Sequence, residues 1–260
     1  MNDITRTAID PGYSNAPVVD APGTGVPNGG FLAGLLLRAI EASLNDHHLR
    51  PRAAAVSFLS SAQLAAPLDI QVETLSRGGR TAFLKAEARQ DRDLRLKVEA
   101  THGIASAGPT HQPSFTRSIS APEDCPEAAL PREMTPQFTQ HCEYRIAEAP
   151  RPFSGAERAE MLCWIRLRQG ELDAANTLFI ADAMFPAFFL AATRPLRTLS
   201  ANLSVMFSSH FEGAAAGEWL IARFAVRDWA GAWCIEDAEI WSREGKLLAV
   251  AQHMRRVFVP

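Results

Sequence analysis

The chain has 260 residues, enough for one large domain or two medium ones with a sizeable core. Its 26 Lys and Arg against 29 Asp and Glu give a net charge of −3 with no long run of either sign, which disfavours nucleic acid as a partner. A hydrophobic fraction of 47% with 21% charged residues is that of an ordinary globular protein and excludes wholesale disorder.

The N-terminus MNDITRTAIDPGYSN lacks the basic and apolar regions of a secretory signal, and no apolar window is read as a membrane span. A cytoplasmic protein with no membrane partner is therefore expected. After the turn signal VPNGG, the segment Phe31 to Leu44 has helical spacing. Four strands joined in hairpins follow, with turns at Gly78-Gly79 and near Asp91 to Asp93. Residues 106–152 are rich in proline and polar residues and are expected to form a linker over the surface.

The same order then returns. An apolar stretch from Leu178 to Ala192 precedes RTLSANLSVMFSS, EWLIARFAVRD, a turn at Ala230-Gly231, AWCIEDAEIWS, the turn REGK and LLAVAQHMRRVFV. VSFLSS at Val56 to Ser61 matches VMFSS at Val205 to Ser209, each following the helical segment of its half. Each unit is thus a helix followed by an antiparallel meander whose alternation gives one covered and one wet face. Two such units can join edge to edge into one sheet. The expected boundaries are 1–105 for the first repeat, 106–152 for the linker and 153–260 for the second.

Several chemistries are absent from the residue pattern. The four cysteines, Cys125, Cys142, Cys163 and Cys234, form no C-x-x-C pair and read as reduced structural residues. No H-E-x-x-H, dinucleotide fingerprint, phosphate loop or G-x-S-x-G elbow occurs, so neither a metal nor a nucleotide cofactor is indicated. On the residues alone Gly29-Gly30 is a turn before a helix, and Asp182 is either a cap or a chemical group, because an unpaired buried carboxylate is costly. Arg77, Arg80, Arg255 and Arg256 could meet phosphates but read individually as solvated strand ends.

The repeat, the NGGFLAGLLLRAI opening, the Trp164 to Arg166 segment WIR, and LFIADAMFP, SANLSVMF and LLAVAQHMRRV together resemble the acyl-CoA thioesterase II family. The resemblance implies an α+β double hotdog, two repeats forming a pseudo-dimer with a continuous curved sheet. It implies hydrolysis of acyl-CoA to a free acid and coenzyme A, with no cofactor and with a homo-oligomer, a dimer, as the assembly. The family's Asp, hydroxyl residue and Gln fall on Asp182, Ser200 and Gln252. Gly29, Gly30 and Asn202 fall where substrate would bind. The family often has Asp, then His, two positions after the hydroxyl residue; this chain has Asn202 and Leu203, leaving that neighbourhood without its carboxylate.

Hydrolysis needs an oriented, partly deprotonated water and donors for the developing oxyanion. Asp182 is expected to act on the water, Ser200 and Gln252 to hold it, and backbone N–H groups at a helix N-terminus to meet the oxyanion. Two alternatives remain: a non-catalytic acyl-CoA or lipid-binding hotdog protein, kept open by Asn202, and a hydratase or dehydratase on the same fold, which would need an acid paired with His.

Overall fold

The computed structural model describes residues 4–128, 130–209 and 211–259. The first repeat comprises β1 (Ile4–Thr7), α1 (Gly29–Leu44), β2 (Leu49–Phe58), β3 (Leu68–Arg77), β4 (Thr81–Gln90) and β5 (Asp93–Ile104). After it come β6 (Cys142–Glu148), β7 (Glu160–Leu167), α2 (Ala174–Ala183), the short α3 (Phe188–Ala191), β8 (Arg197–Phe207), β9 (Leu220–Ala230), β10 (Trp233–Ser242) and β11 (Leu247–Phe258). The strands form one antiparallel sheet of order β1-β3-β4-β5-β2-β8-β11-β10-β9-β7-β6. The two halves meet at the β2–β8 seam, where Ala53 to Ser57 pair with Met206 to Asn202.

The turns fall where the sequence places them. Asp91 and Arg92 both have positive φ, the conformation a tight two-residue hairpin turn requires. The segment 106–152 departs from a plain surface linker. Its end forms β6, which pairs with β7, and residues between 127 and 144 wall a cavity. Alternation in CEYRIAE is too brief to stand out behind a run of prolines.

The helices lie antiparallel, with the start of α1 against the end of α2. Asn28 caps α1 by accepting from the Phe31 N–H at 2.8 Å, and Asp173 caps α2 by accepting from the Asn176 N–H at 2.7 Å. A Cβ on Gly30 would lie 2.5 Å from the Leu178 carbonyl oxygen, and one on Gly34 2.9 Å from that of Ala175. Glycine at these two positions lets the backbones touch. At the far end of the pair Arg38 of α1 donates to Asp173 at 2.5 Å. The apolar faces of α1 and α2 and the inner residues of the sheet share one core.

One stretch, Ala174–Ala191, passes the length and composition test for a membrane span, contrary to the expectation that no window would; 78% of it is buried inside the protein. It is broken into α2 and α3, and its apolar surface on every side is that of a core helix.

His102 in β5 is fully buried, and neither ring nitrogen has a hydrogen-bond partner. Burial lowers its pKa to about 4. The unfolded chain takes up this proton near pH ~6.5, the folded chain only near 4, so stability is lost as pH falls through that window. Urea denaturation at pH 7 and pH 4.5 should show a smaller difference for His102→Leu than for the parent; an equal difference would count against His102 as a contributor.

Candidate functional site

A cavity of about 550 Å3 opens beside the start of α1 and the end of α2. Most of its wall is apolar, including Met134, Phe138, Met184, Phe185, Phe189 and Leu196. Among its polar groups Asn28, Asp182, Ser200 and Arg255 are linked to one another by hydrogen bonds, and Glu127, Glu143, Arg168 and Arg197 line it as well. A concave site that combines apolar side chains with convergent polar groups is the usual form of a small-molecule site.

Asp182 sits one residue before the end of α2 and is 8% exposed. Its Oδ2 accepts from the Gly30 N–H at 2.9 Å and from Asn28 Nδ2 at 3.2 Å. The carboxylate therefore faces the N-terminus of α1, where unpaired N–H groups and the helix dipole favour negative charge. Capping and chemistry are not exclusive here, because one oxygen serves the helix and leaves the other. Oδ1 lies 3.5 Å from Arg255 Nη2 and 3.7 Å from His253 Nδ1.

Burial pushes the Asp182 carboxyl above its usual range, against the pull of Arg255 and the Gly30 N–H, and the nearby Glu236 charge adds to the push. Burial holds His253 well below the ordinary histidine range, helped by Arg255, so its ring is neutral. For Arg255 burial works in the lowering direction, but the Glu236 and Asp182 carboxylates outweigh it and the guanidinium stays charged. Cys142 lines the cavity, yet burial pushes its thiol up to about 12, so it supplies no thiolate nucleophile near neutrality.

Four of the six site residues named from the sequence come together. Asp182, Ser200 and Gly29 line the cavity, and Gly30 holds Asp182. Gln252 does not join them; it is exposed on the outer sheet face with its Nε2 3.4 Å from Asp237 Oδ1. Its neighbour His253 takes the inward position, since along β11 Ala249, Ala251, His253, Arg255 and Val257 are buried while Gln252, Met254 and Arg256 are exposed. A shift of one residue along a strand exchanges the faces. Asn202 also lies outside the cavity wall, at the seam, with Nδ2 3.4 Å from Ser57 Oγ.

Arg255 differs from the expected solvated strand end: it is 7% exposed and bonded to Glu236. Asn28, His253, Arg255 and Glu236 carry no motif that marks them for the reaction centre. The alternation of β11 around Val257 was the available signal for two of them. Among the described residues no group of three or more His, Cys, Asp or Glu has an arrangement that could hold a metal ion.

Gln252→Ala is expected to leave thioester turnover within about twofold of the parent, as for an exposed side chain away from the reacting groups. A large loss of kcat would bring Gln252 back into the site.

No curated protein sequence is significantly similar to the chain. Solved structures are. A conserved protein of unknown function with a hot dog fold from Alicyclobacillus acidocaldarius superposes with a TM-score of 0.85 at 20% identity, over 99% of this chain and 96% of its own. The tesB protein of Mycobacterium avium subs paratuberculosis gives 0.75 at 19% identity, covering 92% of this chain and 90% of that one. An acyl-CoA thioesterase II from Mycobacterium marinum gives 0.71 at 18% identity, covering 89% and 90%. These likenesses establish the hotdog fold, here doubled in one α+β chain. The acyl-CoA thioesterase N-terminal domain matches residues 19–108, and the acyl-CoA thioesterase C-terminal domain matches residues 122–257. With both halves matched in order across most of its length, the chain belongs to the acyl-CoA thioesterase family.

Proposed function

We propose that the protein hydrolyses acyl-CoA thioesters with a water activated at Asp182. The observation that carries the reading is the division of labour on that carboxylate: Oδ2 is held by Gly30 at 2.9 Å and Asn28 at 3.2 Å, while Oδ1 has the longer contacts to Arg255 Nη2 at 3.5 Å and His253 Nδ1 at 3.7 Å and can take a proton. Ser200, whose Oγ lies 3.4 Å from Arg255 Nη1 on the same cavity wall, can fix the water beside it. The raised pKa suits the role, since a stronger base accepts a proton from water more readily.

The apolar wall is suited to the acyl group. With Cys142 held as a thiol and no nucleophile elbow in the chain, water is the favoured attacking group. Asn202 lies outside the cavity wall, so the missing carboxylate there takes nothing from the group of Asn28, Asp182, Ser200 and Arg255.

The test is thiol release by the purified protein from short-, medium- and long-chain acyl-CoAs. Saturable turnover with part of the panel is the expected result. Saturable binding without release from any of them would replace hydrolysis with acyl-CoA binding alone.

A further inference from the structure

Arg255 is held more elaborately than a structural ion pair requires. Its Nε donates to Glu236 Oε2 at 2.5 Å, and Glu236 Oε1 accepts from the Phe188 N–H at 2.9 Å. The carboxylate is thus fixed by a backbone group and in turn fixes the plane of the guanidinium. Both terminal nitrogens sit at longer range, Nη1 3.4 Å from Ser200 Oγ and Nη2 3.5 Å from Asp182 Oδ1. An arginine paired primarily with Asp182 would close to about 2.7–2.9 Å. Here the short bond goes to Glu236, and the forked end stands at the cavity wall beside the carboxylate and the hydroxyl. A guanidinium carries five N–H donors, so donors remain for a further acceptor at that wall.

We propose that Arg255, clamped by Glu236, is a catalytic residue that receives the carbonyl oxygen of the reacting thioester. The assignment rests on the thioesterase reading above. As water attacks, its oxygen forms a bond to the carbonyl carbon, the π pair moves onto the carbonyl oxygen facing Arg255 Nη1 and Nη2, and the water's proton passes to Asp182. When the pair returns, the C–S bond breaks and the proton on Asp182 goes to the departing thiolate. One carboxylic acid and one thiol result, and Asp182 is restored. Preorganised donors in a site closed to bulk water are most effective where charge develops. Glu236 touches no reacting atom and is a positioning residue.

The decisive variant is Arg255→Met combined with Glu236→Gln, which removes both charges of the short pair together, while Asp182 loses its longer contact to the cation. With a panel acyl-CoA that the parent turns over, kcat should fall by about 10²–10³ with KM nearly unchanged. Glu236→Gln alone keeps the cation and provides a milder second probe. The groups facing Asp182 are the cap Asn28 and Gly30 at the start of α1, His253 and Arg255 from β11, and the Glu236 charge from β10. Released from Glu236, Arg255 should pair more closely with Asp182, giving a several-fold fall in kcat and moving the acid limb of kcat/KM to lower pH.

A folded double variant with parental kcat, or one in which only KM rises, overturns the role of Arg255 while leaving Asp182-dependent hydrolysis standing. An unmoved acid limb together with full kcat in Glu236→Gln overturns the clamp. Failure of the parent protein to release thiol from any acyl-CoA overturns both this assignment and the reading beneath it.

Discussion

Asp182→Asn is expected to lower kcat for thioester hydrolysis by about 10²–10⁴, the range over which a positioned acid or base contributes. The substitution keeps the shape of the side chain and an oxygen that can accept from the Gly30 N–H, so the contact between α1 and α2 should persist. What it removes is the site that takes the water's proton. Thiol release and a thermal melt on the same preparation separate the two effects. A folded variant with parental turnover would end the role assigned to Asp182. In the parent, the acid limb of kcat/KM should lie above the range of an ordinary aspartate, because burial outweighs the help from Arg255 and Gly30.

Gly30→Ala should be costly for a different reason. The added methyl carbon would meet the Leu178 carbonyl oxygen at 2.5 Å, Asp182 Cβ at 2.8 Å and Phe179 Cα at 3.0 Å. Two of these belong to the backbone of α2 and cannot swing aside as a flexible side chain can. Overpacking of this kind costs about 1–3 kcal/mol. The helices must also separate at the end where Asp182 is held, so turnover should fall along with the denaturation midpoint. Gly79→Ala is a suitable control, because no atom lies within 4 Å of a Cβ built there. Equal midpoints for Gly30→Ala and the parent would show that the helix contact tolerates a methyl group.

The sequence was most readable where physics is local. The hairpins were visible because turn residues and alternation lie within a few positions of one another, and Asp182 was visible as a carboxylate in an apolar run. Gln252 shows where such reading stops. A residue type matched along β11 says nothing of which face it occupies, and a displacement of one position puts His253 inward in its place. Arg255 was hidden for another reason. Its partner Glu236 lies on β10, and Phe188, which fixes Glu236, begins α3. A charged strand residue reads as solvated until the chain has folded and brought those groups together. The first turn of α2 carries little apolar signal before Leu178, because Ala174, Ala175 and Asn176 are small or polar, although Asp173 is an available cap.

The two ends of the helix pair have become different objects. At one, the capping residue Asn28 of α1 donates to Asp182 of α2; at the other, the capping residue Asp173 of α2 accepts from Arg38 of α1. These are corresponding places in the two repeats, a cap meeting a side chain that lies about nine or ten residues beyond the cap of the opposing helix. Two identical subunits related by a two-fold axis would have to carry the same chemistry at both places. Joining the repeats in one chain lifts that obligation, and each copy can change without altering its counterpart. One end can then be a fastening, free to favour a simple ion pair, while the other keeps a buried acid whose neighbours are arranged for something besides holding the helices together.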